Sequence, residues 1–102
     1  MSVSLERELR NLLKTGKAYL GVKQTIKSLM HGKAKMVIIA ENIPPEYRRR
    51  INYYAKLSGT PVITYKGTSI DLGLAIGKPF RVSAIAVIDE GSSRILELAG
   101  RE

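Results

Sequence analysis

Leu5, Leu9, Leu12 and Leu13 recur at helical spacing through a segment otherwise made of charged and polar residues. Side chains three and four apart share one face of a helix, so this pattern predicts an amphipathic first helix. Thr15-Gly16 ends it, with the glycine able to supply a left-handed cap. Ala18-Tyr19-Leu20 follows as a short strand, and Gly21 opens a second helix with Val22, Ile26, Leu29 and Met30 on its apolar face. His31-Gly32 closes that helix. Met36 to Ala40 is apolar without interruption, the pattern of a central strand covered on both faces.

After Glu41-Asn42-Ile43, Pro44-Pro45 predicts a helix start, because the first turn of a helix needs no proline N–H. This third helix runs to Ser58-Gly59. Pro61 to Tyr65 is rich in β-branched residues and reads as a strand. Thr68 with Asp71 three residues later forms a capping pattern for a fourth helix that Gly77 ends, and Gly73 inside it marks close packing. Residues 78–82 form a loop, Ala84 to Ile88 another buried strand, and Asp89-Glu90-Gly91 a turn. Ser92-Ser93 is the expected N-cap of a short last helix through Leu98. Helices and strands alternate, which predicts an α/β fold: a single domain over residues 1–102, built as a three-layer α/β/α sandwich around a roughly four-stranded mixed sheet. Loops at strand ends hold the ligands of such folds, which directs attention to residues 21–23, 41–45 and 77–82.

Charge narrows the choice of ligand. The 17 Lys and Arg against 9 Asp and Glu give a net charge of +8. The surplus lies in the first two thirds of the chain. Between Glu8 and Glu41 there is no carboxylate, while Arg10, Lys14, Lys17, Lys23, Lys27, Lys33 and Lys35 all fall there. A surface selected for solubility alone intersperses both signs, so this one-sided run points to a polyanionic partner.

The same residues exclude most catalytic chemistry. With no cysteine and a single histidine, His31, the chain has no thiol nucleophile and cannot fill the common zinc or iron–sulfur sites. His31 falls at a helix C-terminus, where an imidazole serves the helix dipole. Gly67 to Gly73 lacks the lysine of a nucleotide-binding phosphate loop, and no dinucleotide fingerprint occurs. No cofactor is expected, nor a small-molecule substrate. No apolar run is long enough for a membrane span and no signal-peptide core is present, so the expected location is cytoplasmic.

Three segments then resemble a known family: Gly21-Val22-Lys23-Gln24-Thr25-Ile26-Lys27, Ala34 through Pro44, and Gly77 through Gly91. Together with Tyr53 to Ser58 and Gly67 to Gly77, they are similar to the ribosomal protein L-thirty-e family, over almost the whole chain. That family sits in archaeal and eukaryotic large ribosomal subunits and belongs to a wider kink-turn-binding superfamily with an α/β/α sandwich fold. The resemblance implies a non-enzymatic protein that binds a sharply kinked rRNA internal loop, with rRNA and neighbouring ribosomal proteins as partners. Carried across position by position, it implies RNA contacts from Gly21, Lys23, Lys27, Asn42, Arg48, Lys78, Phe80, Arg81 and Val82. The family commonly has a basic residue five positions after its asparagine; here Tyr47 stands there, followed by Arg48, Arg49 and Arg50.

Read from the residues themselves, Asn42 suits a base edge or, equally, a helix cap or turn, and Phe80 suits a stacked base or a core anchor equally. The kink-turn proteins of small ribonucleoproteins or regulatory messengers are the alternative. They usually carry Gly-x-Asn-Glu where this chain has Gly21-Val22-Lys23-Gln24, which favours the ribosomal branch. A small α/β enzyme acting on an acidic substrate is the remaining class, and it lacks a catalytic constellation.

Overall fold

The computed structural model describes residues 4–99. In chain order its elements are α1 (Leu5–Thr15), β1 (Lys17–Leu20), α2 (Val22–Met30), β2 (Met36–Ala40), α3 (Pro45–Ser58), β3 (Val62–Tyr65), α4 (Ser69–Ala75), β4 (Ala84–Asp89) and a 3-10 turn (Ile95–Leu98). The four strands form one mixed sheet in the order β1-β4-β2-β3. β4 runs antiparallel to both of its neighbours, and β2 pairs parallel with β3.

Helices cover both faces of the sheet, as the alternation of elements requires. On one face Leu9 and Leu12 of α1, Leu72 of α4 and Ile95 meet Met36, Ile38, Ile85 and Val87. On the other, Ile26 and Leu29 of α2 with Ile51 and Ala55 of α3 meet Val37, Ile39, Ala84 and Ala86. Neighbouring strand residues point to opposite faces, so the unbroken apolar run of β2 serves two cores at once. All five of its residues are buried.

The helix ends follow local chemistry. Ser4 Oγ accepts from Arg7 N–H at the start of α1. Thr68 and Asp71 form the full reciprocal capping box of α4, as their spacing predicts. Pro44 is the N-cap of α3 and Pro45 its first residue.

Two local expectations are corrected. Gly16 does not adopt a left-handed cap: its φ is −116°. A glycine is needed there because a Cβ would collide with the backbone of Asp89 and Glu90, so contact with β4 and not handedness explains the residue. The last helix is a four-residue 3-10 turn whose N-cap is Arg94. Ser93 is instead drawn inward. Its hydroxyl donates to the backbone oxygen of Glu8 at 2.8 Å and accepts from Ile95 N–H at 3.2 Å.

Candidate nucleic-acid interface

Strand directions bring the expected loops together. β1 and β2 run the same way and β4 runs opposite, so the segments after β1 and β2 and the segment before β4 all emerge at one end of the sheet. Backbone hydrogen bonds join them there: Gly21 N–H to Ala84 O at 2.8 Å, Ala40 N–H to Ser83 O at 2.9 Å, and Glu41 N–H to Gly67 O at 2.9 Å.

Gly21 holds φ +109° and ψ 155°, a conformation that strains any L-residue, and nothing in the protein lies within 4 Å of where a Cβ would stand. As N-cap of α2 it offers no side-chain hydrogen bond, and the first turn of α2 carries no acidic residue. The opening amide N–H groups of the helix therefore face outward with no capping group. The other three α-helices each carry a carboxylate in the first turn.

Lys23 and Lys27 lie one turn apart on α2 and share a groove of about 370 Å³ with Val22, Met30, Tyr47 and Arg50. The structure thereby distinguishes the three arginines of α3. Arg50 converges with the two lysines, whereas half-buried Arg48 donates from Nη2 to Glu41 O at 3.2 Å and ties α3 to the loop after β2. Arg50 was not among the residues implied by resemblance. Helical spacing carries the signal for it: Tyr47, Ile51 and Tyr54 turn inward toward α2, and Arg50 sits at the edge of that face.

Asn42 is exposed, and its Oδ1 accepts the Ser69 N–H at 2.8 Å. It neither caps α3 nor floats free; it holds the start of α4 against the loop after β2. That bond uses one lone pair of Oδ1 and leaves the two amide N–H donors for an outside acceptor.

Phe80 is 55% exposed, which removes the core-anchor reading and leaves its ring available to a flat partner. Arg81 is exposed and Lys78 half-buried beside it. Val82 requires a correction. Its side chain is 1% exposed inside the core shared with Leu72 and Ile85, so no base can pack against it, and only its backbone borders the loop.

Charge at this end is uncompensated. None of Lys23, Lys27, Arg50, Lys78 or Arg81 forms an ion pair among the described residues. Lys35 and Glu90 pair at 2.9 Å at the opposite end of the sheet, where a lysine hydrogen bond holds the Glu90 carboxyl below its usual range. No group of three or more His, Asp or Glu side chains suited to a metal exists among the described residues. No helix among them is long and apolar enough to cross a membrane.

The profile of the Ribosomal protein L7Ae/L30e/S12e/Gadd45 family matches residues 4–97. The large ribosomal subunit protein eL30 of Aeropyrum pernix is 55% identical over 97 residues, covering 95% of this chain and 97% of its own. The eL30 proteins of Saccharolobus solfataricus and Methanocaldococcus jannaschii are 50% and 45% identical, covering 94% and 99% of this chain and 89% and 92% of theirs. These relatives are named for a place in the large ribosomal subunit. With end-to-end similarity of this extent, on a sandwich whose loops meet at one cationic end, the chain belongs to the ribosomal protein L7Ae/L30e/S12e/Gadd45 family.

Proposed function

We propose that this chain is a structural component of the large ribosomal subunit, bound to a kinked internal loop of rRNA and flanked by other ribosomal proteins. The observation that carries the reading is the meeting of three loops, an uncapped helix start, five unpaired cations and one exposed aromatic ring at a single end of the sheet. A kinked RNA brings two phosphate backbones close together and splays unpaired bases outward, and the two halves of this surface suit those two features.

The backbone half is the start of α2. Gly21 leaves room for a phosphate to reach the first-turn amides, where the positive end of the helix adds attraction. Lys23, Lys27 and Arg50 line the adjoining groove and take the neighbouring phosphates. The base half lies across the sheet end. Phe80 supplies a stacking face, and the amide N–H₂ of Asn42 suits an edge rich in acceptors such as O6 and N7 of guanine. Lys78 and Arg81 hold the phosphates of the bases so engaged. The protein contributes a rigid template and carries out no chemistry.

The test compares binding to an RNA with a kinked internal loop and to a straight duplex of the same length. Wild type is expected to prefer the kinked RNA by about tenfold or more. Lys23→Ala combined with Arg50→Ala is expected to remove much of that preference. Equal affinity for both RNAs overturns the kink reading, and absence from large subunits sedimented at low salt overturns the ribosomal one.

A further inference from the structure

Helix α4 buries Leu72 on its inner side and leaves Ile70 and Leu74 outside, 47% and 67% exposed. Four residues apart, these two stack along one outward stripe of the helix. Neither contributes to either core. About half or more of each aliphatic side chain stays exposed after folding, and a pair so placed beside an exposed aromatic ring suits a partner outside the chain.

Its surroundings indicate which. Gly73 lies between the two residues in sequence, and a Cβ there would collide with the carbonyl of Phe80. The missing side chain lets the loop backbone lie directly on α4. Two hydrogen bonds strap the loop down, Lys78 N–H to Gly73 O at 2.9 Å and Val82 N–H to Ser69 O at 3.0 Å. Phe80 is thereby brought beside Ile70 and Leu74. Together with Pro79 these side chains line a hollow of about 170 Å³, and Lys78 and Arg81 complete its lining.

The geometry points to this hollow as a seat for a second unpaired nucleobase, next to the one stacked on Phe80. An apolar floor suits the face of a base, and two cations with no carboxylate in the lining suit its flanking phosphates. The charge argues against an ordinary apolar protein contact, which would leave Lys78 and Arg81 uncompensated. The inference rests on the proposed binding of kinked RNA and extends it. Ile70 and Leu74 widen the platform so that it takes two consecutive bases, and the strapped loop holds both faces in place before RNA arrives.

The probe is the kinked internal-loop RNA, with each unpaired nucleotide replaced in turn by an abasic residue, bound to wild type, Phe80→Ala and the double variant Ile70→Ser/Leu74→Ser. Wild type is expected to lose about five- to hundredfold in affinity at two loop positions. The double serine variant is expected to show a loss of that size on intact RNA and no further loss when the second of those positions is abasic. Phe80→Ala is expected to behave the same way at the first. Should the two serines lower the unfolding midpoint, Leu74→Gln, with its good helix propensity, repeats the cycle. Kink preference with wild-type affinity in the serine variant overturns the second seat alone. So does a loss that multiplies with every abasic position. Equal binding of kinked and straight RNA by wild type overturns the parent reading and this one together.

Discussion

Phe80 is the residue whose two readings part most cleanly, because one concerns folding and the other binding. A buried Phe→Ala costs about 3–5 kcal/mol of stability by emptying core volume. At 55% exposure, Phe80→Ala is expected to cost about 1 kcal/mol or less in urea unfolding. It is expected to cost about 1–3 kcal/mol in affinity for the kinked RNA, the range of an aromatic stacking platform. Phe80→Tyr keeps the ring and most of the affinity. A variant that loses stability and keeps affinity contradicts the assignment. Asn42 and Val82 stand beside Phe80 as residues whose chemistry was readable and whose company was not. An asparagine can pair with a base or with a backbone amide, and only the position of Ser69 on a distant helix chooses. A valine after Phe-Arg in a loop offers no local sign that it turns back into the core.

At the scale of elements, one carboxylate of α1 clasps the residues that open the 3-10 turn. Glu8 Oε1 accepts the Arg94 N–H at 2.7 Å and the Ser93 hydroxyl at 3.1 Å. The Arg94 amide bond is the main cause that lowers the Glu8 carboxyl below its usual range, ahead of the opposing effect of burial and the smaller help from Ser93. A carboxyl that titrates lower in the folded chain than in the unfolded one stabilises the fold at every pH above the ordinary carboxylate range. It loses that contribution as pH falls through the folded value. Glu8→Gln keeps an acceptor and loses the charge, so it is expected to unfold more easily by about 1 kcal/mol at neutral pH. Urea midpoints of the two proteins should converge as the pH drops below the ordinary carboxylate range. A gap that persists in acid would show that shape and not charge makes the clasp. The helix starts follow the same logic: α1, α3 and α4 carry their own acids, while α2 leaves its first-turn amides to an outside anion.

Across the whole molecule, the net charge of +8 matters less than its placement. Lys23, Lys27, Arg48, Arg50, Lys78 and Arg81 all lie at the loop end. Arg48 is engaged with Glu41 O, and phosphate contacts from the other five predict a fall in affinity of about 500-fold between about 50 and 200 mM salt. Titrations over that range are expected to show Lys27→Ala flattening the slope by about one, whereas Lys14→Ala, in the last turn of α1 just before β1 begins at the other end of the sheet, leaves it unchanged. Equal effects from the two variants would mean that the diffuse field of the protein, and not this end of it, attracts the RNA.

The sequence by itself determined which segments before residue 90 are helices and which are strands, where prolines and the Thr68–Asp71 pair start helices, and that both sheet faces are covered. Each of these depends on neighbours within a few residues: a period of 3.6 or 2, a missing N–H, a side chain that reaches its own backbone. It also determined the excess of positive charge and the family. Only the tertiary structure decided that Arg50 joins Lys23 and Lys27, that Arg48 and Asn42 brace the loop after β2, and that Val82 is interior. Gly16 proves to be a glycine for the sake of a backbone far along the chain, that of Asp89 and Glu90. The difference is one of range: periodicity reports the environment a segment needs, while a contact between residues tens of positions apart exists only once strand order and direction have set them side by side.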